Sequence, residues 1–457
     1  MLLNSISFLF LFPVIFTLFW LVPKGKRYMV LFFANFCLMA IADVHSAMVL
    51  LGLVLFTYAA GRILAYKPFK GLLALFILCC IGILALFRVT PVRSLVVPVG
   101  LSFYLLAAIG YLVDVVRDRD CREKNFLRFG AFLAFFPTVV SGPIERSSGL
   151  LRQIKEGVDF EESRARHGLY QIALGLFEKV VVADRLAEFT DGAYAAADTG
   201  NGAVLLLGVV LYGFELYADF SGYSHLAIGV ANVMGFDISP NFRQPYLGSV
   251  REFWSRWHIS LSSWLKDYVY IPLGGNRKGK ARKALNLMIT FLVSGLWHGT
   301  GLQYLVWGAL HGIYQIVAGF IPARVEKRKN LFIRVVGIVL NFIMVDFAWL
   351  FFRAGDINQG LLMVKRIFTE FRLKATLYYG TYLFGHTKAQ YCAVLAGVVI
   401  LILIDILHER KFSFCEFSKK IPAILRFGIY VLYGLFIVLL MVKNYGLEAN
   451  SFIYAGF

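Results

Sequence analysis

An all-α polytopic membrane protein is the fold class this sequence predicts, and three observations predict it. Apolar residues make up 59% of the 457 positions and charged residues only 16%, against about half and about a quarter in soluble globular chains. The apolar residues are gathered into runs that approach the roughly twenty residues a straight span needs. Lys and Arg fall between these runs rather than inside them. A single helical membrane domain over residues 1–457 is expected, with residues 219–312 as its motif core.

In chain order the apolar runs lie at 6–22, 28–41, 47–64, 72–87, 95–116, 129–142, 168–183, 203–224, 284–297, 302–320, 331–352, 390–408 and 424–442. The first has no basic segment before it and no small-residue cleavage site after it, so it is expected to remain as an uncleaved first span. Those at 28–41, 129–142 and 284–297 are short, and are expected to be broken, re-entrant or buried deep in protein. Residues 129–149, FGAFLAFFPTVVSGPIERSSG, cannot form a simple span, because Pro137, Gly142 and Pro143 interrupt it. They read as an apolar hairpin that enters and leaves the membrane on one side. Residues 150–167 carry both signs of charge and read as a surface helix.

Orientation follows from the basic loops. Loop 24–27 is KGKR, and loop 62–70 carries Arg62, Lys67 and Lys70. Loop 117–128 holds five basic residues against three acidic ones, and loops 324–334 and 408–426 are also basic. A model with the N-terminus outside places all of them in the cytoplasm and the acidic loop 184–202 outside. Loop 353–388 is basic yet external in that model; its partly amphipathic pattern fits a helix lying on the surface or against a partner.

The net charge is +18. Since the charge sits at the ends of apolar runs, it follows the positive-inside bias and the pull of anionic headgroups, so membrane lipids and not nucleic acid are its expected partner. The six cysteines form no CxxC pair, and Cys37, Cys79, Cys80 and Cys392 fall in apolar runs where a thiol acts as a small hydrophobe.

Two histidines about forty residues apart, His258 and His298, stand among tryptophans and glycines. His298 follows Trp297 in SGLWHGTG, where one apolar run ends and the next begins. An ionisable group at membrane depth is costly and marks a functional site, and a neutral imidazole can take a proton from a hydroxyl or return one to a leaving group. The bland alternative is a hydrogen-bonded histidine that only pins two helices. His258 lies in WSRWHISLSSWLKDYVYIPLGGN, with Trp254, Trp257, Trp264, Tyr268 and Tyr270 as an aromatic belt. Arg256, Lys266, Arg277, Lys278, Lys280, Arg282 and Lys283 make this the most cationic segment. Two readings stay open for it: a receiver for a phosphate-bearing ligand such as coenzyme A, and a lipid-facing interfacial helix.

Asp219, Ser221, Tyr223 and His225 form a polar patch at the end of run 203–224, either lining a cavity or holding helices together. His311, in WGALHG, is expected to be packed. His45, His386 and His408 fall at loop edges and His167 at the start of a run. No zincin spacing or His/Cys/Asp cluster suggests a metal, and there is no GxSxG elbow.

These stretches resemble the membrane-bound O-acyltransferase (MBOAT) family, and within it the bacterial branch typified by the membrane acyltransferase of alginate O-acetylation. The similarity is carried by ISFLFLFPVIFTLFWLVP at 6–23, FFPTVVSGPIER at 135–146, ADFSGYSHLAIG at 218–229, REFWSRWHISLSSWLKDYVYIPLGGNR at 251–277 and SGLWHGTGLQYLVWGALHG at 294–312. The resemblance implies a ring of roughly eleven or twelve tilted transmembrane helices, with re-entrant and interfacial helices, around a central funnel. It implies that His298 is the essential histidine and His258 the second polar position of the site. Trp297, Trp254, Trp257, Arg256, Asp219, Ser221, Tyr223, Asp267, Tyr270 and Asn276 are then candidates to line the tunnel or meet substrate.

The activity implied is O-acetylation of a cell-surface polysaccharide. The acyl group comes from acetyl-CoA or another acyl thioester, with no bound cofactor, and an extracytoplasmic SGNH-type acetyltransferase is the expected partner. The location is the bacterial cytoplasmic membrane. Transfer of D-alanine or another acyl group to teichoic acid or peptidoglycan is the alternative of the same class. A transporter or flippase for a cell-envelope glycan, or a scaffold recruiting an external enzyme, is the alternative of another class.

Overall fold

A computed structural model describes residues 3–89, 96–321, 331–374 and 387–444; His386, part of the basic loop at 324–330 and the C-terminal SFIYAGF lie outside these. Among the described residues the chain is helix and turn with no strand. The helices are α1 (Ile6–Leu21), α2 (Arg27–Ala42), α3 (Val44–Tyr66), α4 (Lys70–Val89), α5 (Leu101–Arg117), α6 (Phe126–Leu133), α7 (Arg152–Glu156), α8 (Glu162–Leu176) and α9 (Asp184–Ala195). They continue with α10 (Gly202–Val233), α11 (Ile259–Leu265), α12 (Gly279–His298), α13 (Leu302–Phe320), α14 (Leu331–Arg353), α15 (Ile357–Thr369), α16 (Lys388–Glu409), α17 (Phe414–Ser418) and α18 (Ala423–Asn444). Seven stretches among the described residues are long and apolar enough to cross a membrane: Lys24–Ala42, which joins a short 3-10 turn to α2 and so makes the run at 28–41 longer than expected, and stretches of α3, α4, α10, α14, α16 and α18. The polytopic all-α class follows from this.

The chain divides into two compact units, residues 1–176 with 223–241, and residues 177–222 with 242–450. In the first unit, helix starts are set by side chains that accept otherwise unpaired N–H groups. Ser5 caps α1 and Asp43 caps α3 in this way. After α6 the chain runs in turns through residue 142, and every residue from 129 to 145 is buried. One limb of the expected hairpin is therefore helical and the other is not. Non-helical backbone in an apolar setting must be buried in protein and satisfied there. Asn35 does part of this, donating to Ala131 O (3.2 Å) and accepting from Phe136 N (2.9 Å).

Residues 150–167 are not one helix. Gly157, at φ +73°, ends α7, and the chain is extended until α8 begins. α8 then passes through a π-helical turn at Phe177–Ala183 into α9, so the acidic stretch 184–202 is largely helical rather than a loop, and His167 lies inside α8. The run at 203–224 likewise extends to Val233, which puts its polar patch in mid-helix. No proline falls in 224–233, its single glycine, Gly229, is carried within the helix, and polarity alone does not end one. The amphipathic segment after 353 forms α15, with Asp356 capping it.

In the second unit, α12 and α13 form an antiparallel pair whose backbones nearly touch. A Cβ on Gly295 would lie 2.4 Å from Tyr304 O, and one on Gly308 would lie 2.5 Å from Phe291 O. Glycine is what permits this approach. The turn between the helices is Gly299-Thr300-Gly301, and it places His298 at the last position of α12.

Candidate active site

His258 holds its site by an unusual backbone. Its φ is +42°, in the left-handed region that non-glycine residues avoid, and it serves as the cap of α11. Such strain survives only where surroundings impose it, and it clusters at functional sites. Its carbonyl accepts from Ser262 N at 2.9 Å. Its ring meets Phe220 edge-on at 4.6 Å between centroids and is 1% exposed. Burial without a compensating charge disfavours imidazolium, pushing the His258 pKa down to about 3.

His298, 2% exposed, sits among aromatic rings. Trp297, Trp307 and Phe352 lie 4.7, 4.9 and 5.0 Å from it between centroids, all edge-on, and Phe352 in turn meets Tyr304 at 5.5 Å. Trp297 also lies 6.0 Å from His258. One indole therefore neighbours both imidazoles, which the sequence places forty residues apart. Two buried imidazoles sharing one neighbouring ring can divide acid–base work from carbonyl polarisation.

The other predicted residues divide by surroundings. Trp257 is fully buried, stacked on Phe253 (5.5 Å) and 5.0 Å from Trp349. Trp254 donates its indole N–H to His311 Nδ1 (3.3 Å). Arg256 is engaged by both carboxylate oxygens of Glu409, at 2.9 and 3.2 Å. Asp219 accepts from Lys179 Nζ (2.6 Å), and Ser221 donates to Glu178 (3.0 Å); both partners lie on the π-helical turn. Tyr223 is buried but belongs to the first unit. Asp267 and Tyr270 lie in a π-helical turn after α11, where the Tyr270 hydroxyl donates to Asn276. Residues 276–283, including the five cations Arg277, Lys278, Lys280, Arg282 and Lys283, are exposed.

Sequence inspection passed over Trp307, Trp349 and Phe352, and expected His311 only to be packed. Trp307 and His311 are four apart in WGALHG, so one helix face was visible there. No pattern announced that Trp349, on α14, would join them. Among the described residues, no group of three or more His, Cys, Asp or Glu is placed to hold a metal.

Known proteins share extended similarity with this chain. The model of the membrane-bound O-acyltransferase family matches residues 8–354. The probable alginate O-acetylase AlgI of Pseudomonas aeruginosa is 34% identical over 395 residues, covering 81% of this chain and 75% of that protein. A peptidoglycan O-acetyltransferase of Helicobacter pylori is 33% identical, over 59% of this chain and 56% of its own. A teichoic acid D-alanyltransferase of Streptococcus thermophilus is 29% identical, over 65% and 76%.

Proposed function

Because the chain belongs to the membrane-bound O-acyltransferase family, and is therefore a membrane O-acyltransferase rather than a transporter or scaffold, we propose that it passes an acetyl group from a cytoplasmic thioester across the membrane. The group is destined for hydroxyls of a cell-surface polysaccharide. The observation that carries this is the buried pair His258 and His298, both packed near Trp297. The polysaccharide reading is supported over D-alanyl transfer by the greater similarity to the alginate O-acetylase (34% identical) than to the D-alanyltransferase (29%).

In this reading His298 takes the proton of the accepting hydroxyl as its oxygen bonds to the acyl carbon. The carbon–sulfur bond then breaks, and the thiolate takes the proton back from the imidazolium. A positioned general base contributes about 10²–10⁴-fold. His258, neutral at physiological pH, orients the bound thioester through its ring N–H. The exposed cations at 277–283 receive the phosphates of a donor such as acetyl-CoA at the cytoplasmic face. The acyl group passes through the bacterial cytoplasmic membrane, with the protein's N-terminus outside. An extracytoplasmic SGNH-type transferase completes the modification.

The test uses purified protein in proteoliposomes, with radiolabelled acetyl-CoA on the cytoplasmic side. Thiol release by wild type that vanishes in His298→Ala, with the fold intact, is expected. A His298→Ala variant of full activity refutes the base role.

A further inference from the structure

Three buried ring N–H donors sit on side chains whose rings pack together beside His298. They are Nε1 of Trp307, Nε1 of Trp349 and Nε2 of His311, and none has a hydrogen-bond partner among the described residues. The rings touch pairwise, with centroids 5.1 Å apart for Trp307 and His311, 5.7 Å for Trp307 and Trp349, and 5.8 Å for His311 and Trp349. Trp307 is also the ring that packs edge-on against His298 at 4.9 Å.

The protonation of His311 follows from its neighbour. An indole nitrogen only donates, and Trp254 Nε1 lies 3.3 Å from His311 Nδ1. Nδ1 therefore accepts, and a neutral ring carries its proton on Nε2. All three orphan atoms are thus donors. Buried donors without partners are rare and costly. Apolar side chains would carry no such cost. Three in one contiguous cluster, next to the proposed general base, is the composition of a site for an oxygen that gains negative charge.

We propose that Trp307, Trp349 and His311 form the subsite that holds the acyl carbonyl oxygen as the transfer passes through its tetrahedral stage. The assignment rests on the acyl-transfer reading above. When the acceptor oxygen bonds to the acyl carbon, the carbonyl π pair moves onto this oxygen, which takes hydrogen bonds from the three N–H groups. When the carbon–sulfur bond breaks, the pair returns and the thiolate leaves with the proton held by His298.

Two substitutions at one position separate this from aromatic packing. His311→Gln keeps an N–H near Nε2 and an acceptor for Trp254; His311→Phe keeps the ring and loses both. With acetyl-CoA as probe, His311→Phe is expected to lower kcat by about 10²-fold or more, the effect of removing one such donor, with KM little changed. His311→Gln should retain most of kcat even if its melting temperature in detergent falls. Full activity in His311→Phe, or equal loss in both variants, overturns the subsite. If wild type releases no thiol from acetyl-CoA, that failure belongs to the donor reading, and a second measurement decides the subsite alone. In protein labelled with 15N-tryptophan and titrated with sodium acetate, the indole resonances of Trp307 and Trp349, assigned through Trp→Phe variants, should shift downfield. Unmoved resonances overturn the proposal.

Discussion

Lys179 Nζ lies 2.6 Å from Asp219 Oδ1 and 2.9 Å from Asp184 Oδ1, with Lys179 and Asp219 buried in the second unit. The π-helical turn at 177–183 is what brings Lys179 to α10, since the extra residue per turn rotates the following side chains around the helix. The arrangement makes Asp219 a partner of a buried ammonium.

Removing one member of a buried ion group costs more than the group contributes, because the remaining charge is stranded. Lys179→Met is therefore expected to destabilise the protein by about 3–5 kcal/mol, read as a fall in melting temperature in detergent. Asp219→Asn, which leaves Asp184 with Lys179, should cost less. A Lys179→Met protein that melts with wild type would mean that the ammonium is not what satisfies these carboxylates.

Arg256 and Glu409 make a second testable pair. The two-pronged contact ties the segment carrying His258 to the end of α16, and both side chains are partly buried, 16% and 25% exposed. Fixed geometry of this kind is worth more than an exposed ion pair. Arg256→Ala and Glu409→Gln should each lower thiol-release activity, and the double variant should be no worse than the poorer single one. Strictly additive losses in this double-mutant cycle would show that the two act separately.

His258 gives a pH dependence with a defined sign. Its folded pKa is depressed to about 3, whereas an unfolded histidine titrates near 6.5. Below pH 6.5 the unfolded chain takes up a proton that the folded ring refuses, so this contribution is full above 6.5 and is lost as pH falls towards 3. His258→Asn, which tolerates the left-handed backbone, has no such term. Between pH 6.5 and 5, wild type should lose about 2 kcal/mol of stability relative to the variant. Parallel stability curves for the two would mean that His258 is not held neutral by burial.

Helix class, the places of most apolar helices and the setting of the two histidines among aromatic residues were legible in the sequence because each rests on local composition: apolar run length, and the WHG and WHISL stretches. What was missed depends on tertiary packing. Gly157 and its positive φ split a stretch whose charges read as one helix. The π-helical turn that aims Lys179 at Asp219 has no composition cue. Trp349 reaches the His298 cluster from a helix more than forty residues further on, a relation no local pattern encodes.

The contact of α12 with α13 is the support on which His298 and the N–H cluster both depend, and Gly308 tests it. The residue lies between Trp307 and His311 on one helix, and a Cβ there would meet the Phe291 carbonyl at 2.5 Å. That atom is backbone and cannot rotate away, so the helices must separate. Overpacking of this kind typically costs about 1–3 kcal/mol, and the same displacement moves Trp307 away from His298. Gly308→Ala should therefore lose both stability and turnover. Gly319, on the same helix, has nothing within 4 Å of its would-be Cβ, and Gly319→Ala should leave turnover unchanged while helix propensity gains up to about 1 kcal/mol. Melting curves and thiol release on the two variants distinguish a site built on close backbone approach from one indifferent to it; if Gly308→Ala behaves as Gly319→Ala does, the close packing of α12 on α13 is not what positions His298.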